Sequence, residues 1–191
     1  TVLPDGSRHG NAHTLNLAYS DPDYRSTLNS ADLVLNDGIG VEIAARLFGV
    51  RLHENLVGTD FLPKLCTLAQ DQRFSLFLLG SKPGVAESAA TRLQARFPGL
   101  EVVGTHHGYF GQEEDHRVIR AIRQAPPDIL LVGFGNPLQE KWIVRHQGEL
   151  GVPFCVGVGA FIEFAAGRVH RASHWARRAR PPRMCCRSRA S

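Results

Sequence analysis

Asp37 stands where a carboxylate could do acid–base work. It follows the apolar run Ala31-Asp-Leu-Val-Leu and precedes Gly38-Ile-Gly40, with a helical pattern starting just after. A carboxylate at a strand end beside a helix N-terminus is held ionised, which suits a general base accepting a proton from a hydroxyl. The same position suits a helix N-cap, and sequence alone leaves both readings open. Gly80-Ser-Lys-Pro-Gly84 opens another helical pattern, where backbone N–H groups and Lys82 can hold a diphosphate. It is not a Walker A loop, because the Gly-Lys-Ser/Thr ending is missing. Neither Gly38-Ile-Gly40 nor Gly157-Val-Gly159 is completed to G-x-G-x-x-G, since positions 43 and 162 are Ile, so a dinucleotide dehydrogenase is disfavoured.

Thr105, His106, Asn136 and Gln139 add polar groups able to orient a sugar or a base. The pair His106-His107 has no acidic or Cys partner at a ligand spacing, so no metal site is expected. Asp21-Pro22-Asp23 fits the minimal D-x-D pattern of some cation sites, but a turn followed by a helix N-cap explains it better. Glu163, an acid in the apolar stretch Phe161-Ile-Glu-Phe-Ala, is either a second pocket carboxylate or the partner of a nearby arginine.

These residues need elements to position them. Ala31-Asp-Leu-Val-Leu, Phe74-Ser-Leu-Phe-Leu-Leu, Leu100-Glu-Val-Val, Asp128-Ile-Leu-Leu-Val and Pro153-Phe-Cys-Val-Gly-Val each read as a short buried strand. Helical patterns lie near 39–48, 59–71, 84–97, 112–124 and 137–149, punctuated by Pro83, Pro98, Pro126-Pro127 and Pro137. Asn11–Tyr19 and Pro22–Asn29 read as two short helices feeding the first strand. Alternating strands and helices predict an α/β class: a single Rossmann-like domain, its largely parallel sheet covered by helices on both faces. In such a sheet the loops after the strands gather at the carboxyl edge, where ligands bind. Each of the five loops carries glycine, among them Gly38, Gly80 and Gly159, so backbone can approach a ligand closely. Together they predict a nucleotide or sugar-nucleotide pocket.

Composition narrows the class. With 191 residues, 43% hydrophobic and 21% charged, the chain is of ordinary globular make-up. No apolar run approaches the roughly 20 residues of a membrane span, and no secretory leader is recognisable. The net charge of +4 is unevenly spread. Eight Arg and no acid lie from Arg168 to the end, leaving 14 basic and 18 acidic residues in 1–167, a net of −4. The basic, irregular C-terminal tail therefore points to an anionic partner, a membrane surface or nucleic acid. No aromatic residue interleaves the arginines after Trp175 for base stacking, so nucleic acid is disfavoured. Cys66 and Cys155 sit in apolar stretches and read as buried hydrophobes, and Cys185-Cys186 has no zinc or disulfide spacing. A reducing compartment fits best.

Taken in order, several segments resemble the WecG/TagA/CpsF family of bacterial glycosyltransferases. They are Asn11-Ala-His-Thr-Leu-Asn, Ala31-Asp-Leu-Val-Leu-Asn-Asp-Gly-Ile-Gly-Val, Gly58-Thr-Asp and Phe77-Leu-Leu-Gly-Ser-Lys-Pro-Gly-Val-Ala. Gly104-Thr-His-His-Gly-Tyr-Phe, Gly135-Asn-Pro-Leu-Gln-Glu-Lys-Trp-Ile and Gly157-Val-Gly-Ala with Ala166-Gly-Arg-Val-His-Arg-Ala complete the set. The resemblance spans about residues 11–175, taken as the glycosyltransferase domain, with 176–191 as an atypical basic tail. It implies an inverting enzyme needing neither metal nor cofactor, peripheral on the cytoplasmic face of the bacterial membrane. Such an enzyme moves a sugar, typically N-acetylmannosamine, from a UDP-sugar to an undecaprenyl-diphosphate-linked saccharide for teichoic acid, common antigen or exopolysaccharide. It further implies that Asp37 is the general base, that Asn11 belongs to the pocket, and that Gln139 of the N-P-x-Q-E motif lies near the sugar nucleotide. Lys82 or a tail arginine would stabilise the departing UDP.

Two departures from the family pattern carry expectations of their own. His9 replaces the family's Thr two residues before the asparagine, and Thr1–Gly10 does not resemble the strand that precedes it, so the first part of the fold is expected to be missing or replaced. After Trp175 the family's helical appendage gives way to an Arg/Pro/Cys/Ser stretch that reads as a shifted or truncated reading frame. The alternative function this suggests is a sugar-nucleotide-binding remnant without turnover.

Overall fold

A computed structural model describes residues 7–36, 39–50 and 58–168. In chain order these form β1 (Ser7–Gly10), α1 (Ala12–Ser20), α2 (Pro22–Asn29), β2 (Leu33–Asn36) and α3 (Ile39–Leu47). There follow α4 (Gly58–Gln72), β3 (Ser75–Gly80), α5 (Val85–Arg96), β4 (Glu101–His106) and α6 (Asp115–Gln124), the last entered through one 3-10 turn at Gln112–Glu114. β5 (Ile129–Gly133), α7 (Leu138–Leu150), β6 (Phe154–Gly157) and α8 (Phe161–Ala165) complete the described chain. The strands make one parallel sheet in the order β2-β1-β6-β5-β3-β4. This is the α/β arrangement expected from the alternating pattern, and the predicted helices begin and end within about three residues of the observed ones.

Two-residue periodicity builds the core on both sides of the sheet. Leu76, Leu78, Ile129, Leu131 and Val156 face one way, against Leu62, Leu65, Cys66 and Ala69 of α4 and the Val85, Ala86, Ala89, Leu93 stripe of α5. Phe77, Leu79, Leu130, Val132 and Cys155 face the other way, against Val118, Ile119 and Ile122 of α6 and Ile143 and Leu150 of α7. Strands buried on both faces must read as unbroken apolar runs rather than alternating ones, and β3 and β5 do. The alanines of α5 keep that helix close to the sheet, and the spacing 118, 119, 122 leaves Arg117, Arg120 and Arg123 of α6 in solvent. β4 is an edge strand, its register shifted opposite Leu76 and Phe77. There the Phe77 ring lies over Gly104, in space that any side chain at 104 would need.

One strand lies outside the sequence reading. Ser7–Gly10 is inserted between β2 and β6, in register with Leu33–Asn36 on one side and meeting Val156 on the other. Ser-Arg-His-Gly has no apolar run, and it is a strand because main-chain pairing on both flanks makes it one. α8 also escaped notice, since five residues are too few to show a period. The basic stretch beyond Arg168 lies outside the described residues. No helix among the described residues is long and apolar enough to cross a membrane.

Cys66 is fully buried in the first core, and burial pushes its thiol from 9.0 up to about 11. Between those values the unfolded chain loses the proton while the folded chain keeps it, so this residue makes stability fall as pH rises through that window. Below pH 9 it contributes no slope. Urea unfolding of wild type and Cys66→Ala at pH 8 and pH 10.5 should show the wild type losing more stability between the two.

Candidate functional site

The loops after β3, β4, β5 and β6 meet at the carboxyl edge of the sheet around an open cavity of about 980 Å³. The β3 loop is set by close backbone approach. A Cβ at Gly80 would stand 2.5 Å from the Gly133 carbonyl oxygen, so only glycine lets the ends of β3 and β5 lie this near. Ser81 follows in the left-handed region, at φ 63, which is uncommon for a residue with a side chain. It is held there on three sides. Its N–H donates to the Gly133 carbonyl (3.2 Å), its carbonyl accepts from the Gly108 N–H (2.8 Å), and its hydroxyl donates to Glu163 Oε1 (3.0 Å). Glu163 thus turns its carboxylate into the cavity and meets a serine, where one sequence reading gave it an arginine.

Aromatic rings form another wall. Phe110, Phe134 and Trp142 pack edge to face, with centroids 5.6 and 5.7 Å apart. Asp115 fixes the far end of this row: one carboxylate oxygen accepts from Trp142 Nε1 at 2.8 Å and the other lies 3.1 Å from His146 Nε2. Cations enter from α7. Arg145 lines the cavity, and Lys141 lines it while pairing with Asp21 at 2.7 Å. The Lys141 hydrogen bond, helped by the Tyr24 N–H, holds the Asp21 carboxyl below its ordinary value. Asp21 therefore caps α2 and anchors α7, so Asp21-Pro22-Asp23 is a capped turn as read from the sequence.

The loops after β5 and β6 are joined by Gln139, which is 1% exposed. Its Oε1 accepts from the N–H groups of Gly135 (3.2 Å) and Gly159 (3.0 Å). Its Nε2 donates to Asn136 Oδ1 (3.0 Å) and Glu140 Oε1 (2.7 Å). The glycine pair of β6 serves this amide. A Cβ at Gly157 would lie 2.8 Å from Gln139 Nε2, and Gly159 supplies one of the donors. That is why Gly157-Val-Gly159 looks like a nucleotide fingerprint without completing one. Asn136 Nδ2 in turn donates to Thr14 Oγ1 at 2.6 Å, reaching the start of α1, which Asn11 caps through Thr14 N–H (3.0 Å).

The chain matches the glycosyl transferase family described as WecG/TagA/CpsF over residues 9–181. It belongs to that family. It is 30% identical over 158 residues to the N-acetylglucosaminyldiphosphoundecaprenol N-acetyl-β-D-mannosaminyltransferase of Bacillus subtilis (strain 168), covering 83% of this chain and 61% of that one. It is 32% identical over 164 residues to the protein of the same description from Staphylococcus aureus (strain NCTC 8325 / PS 47), covering 86% and 64%. The chain spans a little under two thirds of the length of these curated relatives.

Among the residues singled out in this WecG/TagA/CpsF chain, Asn11, Asn136, Gln139 and Gly159 are drawn into one connected network beside the cavity, and Gly159 lines it. Gly80 shapes the cavity floor through Gly133. Thr105 and His106 end the edge strand, half-buried, with His106 Nδ1 2.7 Å from the His107 carbonyl, and neither lines the cavity. Lys82 is exposed in the turn before α5, away from the cavity lining. Asp37 and Gly38 lie outside the described residues. Sequence reasoning missed Ser81, Asp115, Trp142 and Arg145. Asp115 looks like an ordinary first-turn acid and Trp142 like a core residue; only their 2.8 Å contact across two helices marks them. Removing that carboxylate leaves two buried ring nitrogens without their acceptor. Asp115→Ala should destabilise the fold by about 1–3 kcal/mol in urea unfolding, with a shift in tryptophan emission as Trp142 loosens.

Proposed function

We propose that this chain is the sugar-nucleotide-binding part of an inverting glycosyltransferase. It moves N-acetylmannosamine or a related hexose from a UDP-sugar to an undecaprenyl-diphosphate-linked saccharide during cell-surface polysaccharide synthesis. The observation that carries the reading is the cavity at the carboxyl edge, in a chain of this family. Glycine loops on one side, an aromatic row on another and the Ser81–Glu163 pair between them offer hydrogen bonds and flat apolar surface together. A nucleoside joined to a polar sugar needs both. The names of the two relatives support a lipid-diphosphate-linked N-acetylglucosamine as the acceptor.

In this reading Asp37 is the base. Its carboxylate accepts the proton as the acceptor hydroxyl oxygen bonds to the anomeric carbon from the face opposite the leaving group. The bond from that carbon to the diphosphate oxygen breaks, its electron pair leaves with UDP, and the configuration inverts. Helix N-termini, with Lys82 or an arginine beyond residue 168, stabilise the charge gathering on the diphosphate. Gly38, Thr105 and His106 belong to the same proposal as ligand contacts. The arginines from Arg168 onward hold the protein to an anionic membrane surface on the cytoplasmic side, each worth about 1 kcal/mol close to the lipid.

Transfer from UDP-N-acetylmannosamine to a short-chain lipid-diphosphate-N-acetylglucosamine should proceed in EDTA. Asp37→Asn should abolish transfer while UDP binding measured by calorimetry is largely kept. Full turnover by Asp37→Asn would remove Asp37 as the base, and loss of wild-type transfer in EDTA would remove the metal-free chemistry.

A further inference from the structure

The network behind the cavity has a direction, and backbone donors set it at both ends. A backbone N–H can only donate. Gly135 and Gly159 both aim theirs at one end of the Gln139 carboxamide, so that end is oxygen and the other is nitrogen. The nitrogen donates to Asn136, which makes the Asn136 atom facing it oxygen and turns the Asn136 amino group toward Thr14. Thr14 Oγ1 accepts from Asn136 at 2.6 Å, so its single proton is left to donate to Asn11 Oδ1 at 3.2 Å. The Thr14 N–H independently demands oxygen at that same Asn11 atom, at 3.0 Å. The two anchors agree. The Asn11 oxygen is doubly occupied, and its amino group has no partner among the described residues.

We propose that Thr14 is a positioning residue which, through this relay, presents Asn11 to the sugar nucleotide as a hydrogen-bond donor only. Asn11 therefore meets an acceptor oxygen of that ligand: a phosphoryl, hydroxyl or acyl carbonyl oxygen. The proposal rests on the glycosyltransferase reading for the identity of the ligand. The relay itself does not, because every link in it joins groups of this chain. Thr14 suits the task. It is 0% exposed, so its hydroxyl has no water to exchange partners with, and the contact to Asn136 ties the first helix to the loop 122 residues later. Two of its distant amides, Gly135 and Gly159, belong to the cavity wall, so what holds Asn11 also holds the wall.

The test separates relay from ligand. In the ligand-free protein, Thr14→Val should speed amide hydrogen exchange at Gly135 and Gly159, while Thr14→Ser, which keeps the hydroxyl, should restore protection. Unchanged exchange in Thr14→Val would overturn the relay. Asn11→Asp and Asn11→Ser keep an oxygen cap on α1, so both should melt within roughly 2–4 °C of wild type, a shift of about 1 kcal/mol for a chain this size. A larger drop would overturn the assigned orientation of Asn11. Both variants lack the amide donor, and Asn11→Ser does so without adding charge. Each should bind UDP-N-acetylmannosamine roughly tenfold or more weakly, about 1.4 kcal/mol. Weakening of UDP itself would assign the acceptor to the nucleotide, and weakening of the UDP-sugar alone would assign it to the sugar. Binding of the UDP-sugar by Asn11→Ser as tight as wild type would overturn the donor role. A wild type that binds no UDP-sugar would overturn the glycosyltransferase reading and the ligand half of this proposal, leaving the relay to be judged by exchange and melting.

Discussion

The carboxamide of Gln139 is the constraint on which the carboxyl edge depends. It sits where two loops would otherwise leave backbone N–H groups pointing into the interior, and it accepts one from each. Buried donors left unpaired cost more than a typical hydrogen bond returns, so the amide holds the Gly135 and Gly159 loops by what their separation would expose. Its nitrogen passes the constraint on to Asn136 and Thr14, and through them to the first helix. β1 and β6 are neighbours in the sheet although they stand at opposite ends of the described chain. The side-chain network repeats that closure above the sheet, beside the cavity.

Around this edge, packing and polarity are divided cleanly. Below it, two apolar layers cover the sheet and leave little room for adjustment, as Phe77 over Gly104 shows. Above it, polar groups are paired with one another: Ser81 with Glu163, Asp115 with Trp142 and His146, Lys141 with Asp21. Each pair joins different elements, so the cavity walls are fixed by tertiary contacts more than by any single loop. A site built this way is arranged before a ligand arrives, the condition under which oriented donors are most effective toward developing charge. Lys82 and the β4 end, with Thr105 and His106, stand outside that paired set.

Family membership and this geometry bear on each other. The N-P-x-Q-E motif acquires a physical content here: Asn136 and Gln139 form consecutive links of the network, and Glu140, fully buried beside them, accepts from the same amide. The G-V-G after β6 acquires one too, since its first glycine clears space for Gln139 and its second donates to it. Motifs of this kind specify an interlocked framework as much as a set of ligand contacts.

Much of the architecture was determined by the sequence alone. Apolar runs of four to six residues separated by amphipathic stretches can be satisfied only by a parallel sheet covered on both faces, and the glycines after the strands put the site at the carboxyl edge. Local periodicity is a property of consecutive residues, so it is legible without a fold. The sequence did not reveal β1, whose strand character comes from neighbours on both flanks, nor the job of Ser81, whose left-handed backbone is held by Gly133, Gly108 and Glu163. Nor did it reveal that Asp115 and Trp142 meet, or that Gln139 faces inward to the loops after both β5 and β6. Those facts belong to pairs of residues as far apart as Ser7 and Val156, and only the tertiary structure decides which donor finds which acceptor.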